Sequence, residues 1–159
     1  MTIRRLTDLT CGECGNKQEG EVWDTINVQV NPELKEKLLE GKVNFFRCRN
    51  CGLEGDIPME LLYHDMDKGY CVQLSPFKTI DDKGFLDRFD DHGVLNRYPD
   101  LPRNNIEKMM TSYFRNVHIV FSMGGLAMYI IFRDKLAEHK ASTSKSYTEE
   151  IDRFLKDEA

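Results

Sequence analysis

The sequence predicts an α+β fold: an antiparallel β module with one inserted helix over residues 1–76, followed further along by an αβα C-terminal part. Three observations predict it. Two Cys-Xaa-Xaa-Cys-Gly turns lie in the first third of the chain, beginning at Cys11 and at Cys48. Residues 21–30 alternate with the two-residue period of a strand. Residues 106–114 carry apolar side chains at the helical spacing i, i+3, i+4, i+7 and i+8.

In the first strand candidate Val22, Ile26, Val28 and Val30 share one face, broken only by Asp24, and Trp23, Thr25, Asn27 and Gln29 share the other. Asn31-Pro32-Glu33 then sets a capping residue type, a proline suited to a first helical position and an acid ahead of Leu34, Leu38 and Leu39. Gly41 ends this short helix. Residues 43–47 form a second strand that delivers the chain to Cys48. Residues 59–65 and 70–74 flank Met66-Asp67-Lys68-Gly69 as a hairpin.

Residues 76–103 hold three of the five prolines and many Asp residues, so 77–103 is an acidic connector with a short helical turn near Phe85 to Phe89. Residues 104–140 form a helix-strand-helix part that packs on the module. Asn104 and Asn105 precede the helix of Ile106, Met109, Met110, Tyr113 and Phe114. Residues 117–121 are its strand, and Ser122 caps a second helix running to His139. After the small polar run 141–146, Tyr147, Ile151, Phe154 and Leu155 draw a narrow apolar stripe, a tail helix over 141–159 that docks on its own domain, on a partner or on a second copy.

Composition excludes several function classes. With 40% hydrophobic and 31% charged residues the chain is neither disordered nor a membrane protein. A net charge of −5 disfavours nonspecific binding to phosphate. The N-terminus has no apolar signal region, and the apolar run 119–132 is too short to cross a bilayer, so a cytoplasmic, reducing location is expected. There, five cysteines point to metal or free thiols before disulfides.

Each Cys-Xaa-Xaa-Cys-Gly turn aims two sulfurs at one point and frees backbone amides for thiolate, while its glycine takes a positive φ. Two turns supply Cys11, Cys14, Cys48 and Cys51, a four-thiolate set that suits one tetrahedral Zn2+. The 33 residues between the pairs read as strand, helix and strand, which return the second turn to the first. Metal-free turns, disulfides and an iron centre are the alternatives. A zinc with four protein ligands has no open position for substrate, so the expected site is structural and the module zinc-ribbon-like.

The stretch from Leu9 to Pro76 resembles the CpXC domain, a prokaryotic family. The resemblance rests on Trp23, Ile26-Asn27-Val28, Pro32-Glu33-Leu34-Lys35, Leu38-Leu39-Glu40-Gly41, Phe45, Cys48, Cys51-Gly52 and Tyr63-His64-Asp65 in that order. It implies a zinc-held β module and no reaction. Gly12 and Arg49 stand where the family's name places proline after the first cysteine of each pair.

Other residues carry weaker signals. Cys71 sits within a strand pattern and reads as a small core hydrophobe. Tyr63-His64-Asp65 with Asp67 offers acid/base residue types at a hairpin end, against the simpler reading of a hydrogen-bonded turn. Arg4, Arg5, Lys17, Arg47 and Arg49 surround the cysteine turns as a candidate cation patch. His92, His118 and His139 are scattered and receive no role. No phosphate loop, nucleophile elbow or His-Glu-Xaa-Xaa-His helix is present. The expected function is a zinc-stabilised protein-interaction module. A nucleic-acid-binding ribbon using Arg47 and Arg49, and an enzyme using Tyr63, His64, Asp65 or Cys71, are its rivals.

Overall fold

The computed structural model describes residues 1–76, 80–82, 84–89 and 117–157, with side chains placed as far as residue 142. Its elements are β1 (Ile3–Thr10), β2 (Lys17–Asn27), α1 (Glu33–Leu39), β3 (Phe45–Arg47), β4 (Glu54–Asp56), β5 (Leu61–Asp65), β6 (Tyr70–Leu74), β7 (His118–Val120) and α2 (Met123–Asp157). A 3-10 turn spans Leu86–Arg88. The expected helix at 106–114 lies outside the described residues, as does most of the 77–103 connector.

The α+β class holds, but the main sheet is mixed where an antiparallel one was expected. Its five strands run in the order β1-β2-β5-β6-β7, and β3 and β4 form a separate two-stranded sheet. β1 with β2 and β5 with β6 are antiparallel, whereas β2 with β5 and β6 with β7 are parallel. Parallel neighbours need a long crossover. Residues 28–60, which hold α1 and the second cysteine turn, provide it between β2 and β5.

The strand alternation in residues 21–30 is real at Val22 and Ile26, both fully buried, but the strand begins earlier and ends at Asn27. Asn27 ends it because its side-chain oxygen accepts from Gln29 N–H at 3.0 Å, while its carbonyl accepts from Val30 and Asn31. Val28 and Val30 therefore fall in the turn, and Val30 is exposed.

α1 buries Leu34 and Leu38, each contributing on the order of 2 kcal/mol. Its C-terminus closes as predicted: Gly41, at φ 70°, donates to Leu38 O and Lys42 donates to Lys37 O, the paired bonds of a Schellman ending. At the other end no side chain caps the helix, and Asn31 donates to the Glu33 carboxylate instead.

The hairpin β5–β6 is the centre of the core. All ten residues of its strands are buried, and Gly69 at φ 61° closes the predicted turn. On one face of the sheet Leu62, Cys71 and Val117 cluster with Phe89 and Ile119.

By contact density the chain divides into units 1–126 and 127–159. Within the first, Ser122 caps α2 as predicted, its hydroxyl accepting from Gly125 N–H at 3.0 Å. Within the second, the helix continues through 141–146 without the expected break. Nothing in Ala141-Ser142-Thr143-Ser144 forbids helix, and Ser142 satisfies its hydroxyl on the His139 carbonyl at 2.8 Å. Among the described residues no helix is long and apolar enough to cross a membrane.

Candidate metal centre

Each cysteine pair sits at the tip of an antiparallel hairpin: residues 11–16 join β1 to β2, and residues 48–53 join β3 to β4. Equivalent bonds close both tips. Cys11 N–H donates to Asn16 O at 2.9 Å and Gly15 N–H to Cys11 O at 3.0 Å; Cys48 N–H donates to Leu53 O at 2.8 Å and Gly52 N–H to Cys48 O at 3.0 Å. Gly15 and Gly52 take φ of 69° and 77°, the left-handed conformation that turns the chain back into its second strand.

Neither tip needs proline, because these bonds already fix it. Gly12 takes part in neither bond of its turn, has no positive φ, and a Cβ placed on it meets nothing within 4 Å. Gly12→Pro is therefore expected to stabilise the fold by about 0.4–1 kcal/mol through the unfolded chain, as read by denaturant titration.

The two tips converge. Cys11 Sγ lies 3.6 Å from Cys51 Sγ, and Cys14 Sγ lies 3.6 Å from Cys48 Sγ. All four sulfurs fall within 4.8 Å of one another. A tetrahedron of sulfurs at about 2.3 Å from a central ion has edges of about 3.8 Å, so the set fits one metal with little movement. At 3.6 Å no disulfide joins these sulfurs, and Cys71 is likewise a free thiol. Cys11 and Cys48 are buried, and Cys14 and Cys51 face solvent.

Two side-chain amides bring the second hairpin to the first. Gln18, in β2, donates from Nε2 to Arg47 O at 2.9 Å and accepts at Oε1 from Arg49 N–H at 2.9 Å, holding the backbone on both sides of Cys48. Asn44, buried and at φ 50°, reaches back in the same manner: its Oδ1 accepts from Trp23 N–H at 2.7 Å and its Nδ2 donates to Trp23 O at 2.9 Å. The Asn44 bonds thus satisfy the Trp23 backbone on the edge of β2, where β5 pairs only at Thr25–Asn27. Residues that orient ligands typically affect metal affinity by 10- to 100-fold. Gln18→Leu is expected to weaken metal binding within that range while the main sheet stays folded, as measured by competition with a chromogenic chelator.

The electrostatics favour metal as well. Amide N–H groups of Cys51 and then Asn50 point at Cys48 Sγ and, against a desolvation cost, hold its thiol down at about 6. The Asn50 side chain, followed by Asn16 N–H, lowers Cys14. Leu53 N–H pulls Cys51 down, but desolvation and the surrounding sulfurs of Cys14, Cys48 and Cys11 together push it up to about 12. Four sulfurs this close cannot all ionise without a cation between them.

The remaining predicted residues do not join this cluster. Tyr63, His64, Asp65 and Cys71 are all buried in the β5–β6 hairpin, with His64 directly opposite Cys71. Asp65 Oδ1 accepts from Lys68 N–H and Gln29 Nε2, each at 3.0 Å, as a turn-forming carboxylate does. Asp67 is exposed at the turn. Arg4 and Arg5 do not join the expected cation patch: they pair with Glu21 and Asp24 toward the end of β1 away from the cysteine tips, whereas Lys17, Arg47 and Arg49 flank the tips, where Arg47 pairs with Glu54. Gln18 and Asn44 carry no signal strong enough for sequence reasoning, apart from the oddity of Asn44 inside a strand-like run.

No curated protein and no solved structure matches the chain. One family model does, described as CpXC protein, and it matches residues 9–149. The match reaches well past the module ending at residue 76 and takes in β7 and most of α2. With paired cysteines at two hairpin tips and a family match over most of its length, this chain belongs to the CpXC family.

Proposed function

We propose that this protein is a zinc-stabilised protein-interaction module of the cytoplasm, holding one structural Zn2+ on Cys11, Cys14, Cys48 and Cys51. The observation that carries the reading is the convergence of four sulfurs from two independent hairpins within 4.8 Å. Zinc suits this set because it accepts four thiolates tetrahedrally, and four protein ligands exclude substrate from the ion. The β3–β4 hairpin supports the structural role. Its six strand residues include none that is buried, so apolar burial does little to hold it.

The interaction surface in this reading lies beside the metal tips. A hollow of about 220 Å³ is lined by Leu9, Phe46, Leu53 and Ile57, and Ile57 and Pro58 continue into a second of about 430 Å³ beside Leu74 and Phe121. Leu53 and Phe121 are both more than 40% exposed, and contiguous apolar surface of this kind favours protein partners over phosphate.

Leu53→Glu separates the outcomes. Crosslinked capture from source cells is expected to recover a defined protein set with the parent chain and to lose it with the variant, at equal zinc content. Recovery of nucleic acid in place of protein, with steep salt dependence abolished by Arg47→Ala and Arg49→Ala, would instead establish the nucleic-acid reading.

A further inference from the structure

β1 is an edge strand of eight residues, and its outer row of backbone N–H and C=O groups has no strand partner among the described residues. After an irregularity between Ile3 and Arg4, its ladder with β2 runs regularly to Thr10. Long regular edges are templates for another strand, and proteins usually guard them with charge. Here Leu6, at the middle of the strand, is 62% exposed. Leu6 and the charged Arg4 and Asp8 occupy one face of β1, at alternate positions. Asp8 stands directly opposite Glu19 in β2, a like-charge pair that disfavours the hairpin.

We propose that β1 pairs antiparallel with β1 of a second copy of this chain, about a two-fold axis through Leu6. The two five-stranded sheets then become one. In this register Leu6 meets Leu6 of the second copy, Ile3 meets Leu9, Arg5 meets Thr7, and Arg4 meets Asp8 twice, once on each side of the axis. Each Asp8 thereby gains a cation on the side away from Glu19. Arg4, whose side chain is 59% exposed while bonded to Glu21, has room to reach it.

Neighbouring registers match less well. A two-fold through Arg5 opposes two arginines, and one through Thr7 sets Leu6 against Asp8 and Arg5 against Leu9. A slip of a single residue turns one sheet over, so that the face one copy buries continues into the face the other exposes. The register through Leu6 also leaves the metal tips clear. Cys11 lies five residues beyond Leu6, about 17 Å along a strand, so the two metal sites sit at opposite ends of the junction.

The test is the mass of the metal-loaded full chain by sedimentation equilibrium across a concentration series. The parent is expected as a dimer of the 18.5 kDa chain. Arg4→Asp alone and Asp8→Arg alone each place like charges in both pairs and are expected to raise the dissociation constant on the order of tenfold or more. An equimolar mixture of the two variant chains restores both pairs, so it is expected to form a heterodimer tighter than either variant with itself. Leu6→Lys, which sets two ammonium groups against each other at the axis, is expected to give monomer with unchanged metal content. A monomeric parent, a dimer indifferent to all three substitutions, or a mixture no tighter than its components would each overturn the proposal.

Discussion

Replacing Cys48 and Cys51 together by serine is expected to abolish metal binding and to melt the second hairpin. The magnitudes decide this. Metal binding to a structural thiolate site contributes on the order of 10 kcal/mol or more to folding, comparable to the whole stability of an ordinary domain. The segment that depends on it has little else: β3 and β4 are three residues each and bury no strand side chain. The Gln18 and Asn44 bonds to β2 are worth on the order of 1 kcal/mol apiece and cannot hold it alone. Hydrogen exchange should therefore show residues 45–56 losing protection. The β5–β6 hairpin, with its own buried Leu61, Tyr63 and Val72, should retain it. Cys71→Ser serves as the control, since Cys71 lies in a separate core cluster and its loss should leave metal content unchanged.

Metal affinity is expected to fall steeply on acidification. Metal binds thiolate, so every thiol that is protonated in the metal-free chain must release a proton on binding. With the second hairpin open in the absence of metal, the amide contacts that hold Cys48 at about 6 in the closed turn are lost, and its thiol returns to the ordinary range above neutrality. Cys51, which is pushed up to about 12 when the sulfurs are gathered without a cation, is protonated at neutral pH in either state. Each displaced proton makes the affinity fall tenfold per pH unit, so these two thiols alone account for about two powers of ten per unit below about pH 8. Titration with a metallochromic indicator at a series of pH values gives the slope directly, and a slope below about one power of ten per unit would contradict thiolate ligation.

Much of this was legible in the sequence because the responsible forces are local. The positive-φ glycines after each cysteine pair, the alternation at Val22 and Ile26, and the Gly41 ending of α1 each follow from a few neighbouring residues. β1 escaped notice because its exposed positions mix Arg4, Arg5 and Asp8 with Leu6, and no periodicity survives. β4, Glu54-Gly55-Asp56, has no apolar side chain and is a strand only because the hairpin tip presents it to β3. The parallel pairings of β2 with β5 and of β6 with β7 join residues far apart in the chain, and no short window of sequence encodes them. At the metal site the four ligands were readable from spacing. The amides of Gln18, Asn44 and Asn50 that steer and charge them act across the fold, so they were not.

Metal content per chain, by plasma mass spectrometry on protein purified without added metal, decides whether the four cysteines hold a zinc ion. Close to one zinc per chain is expected, retained through gel filtration and removed together with hairpin order by a strong chelator at low pH. A well-folded chain with no metal, whose four clustered cysteines react freely with a thiol reagent, would contradict it.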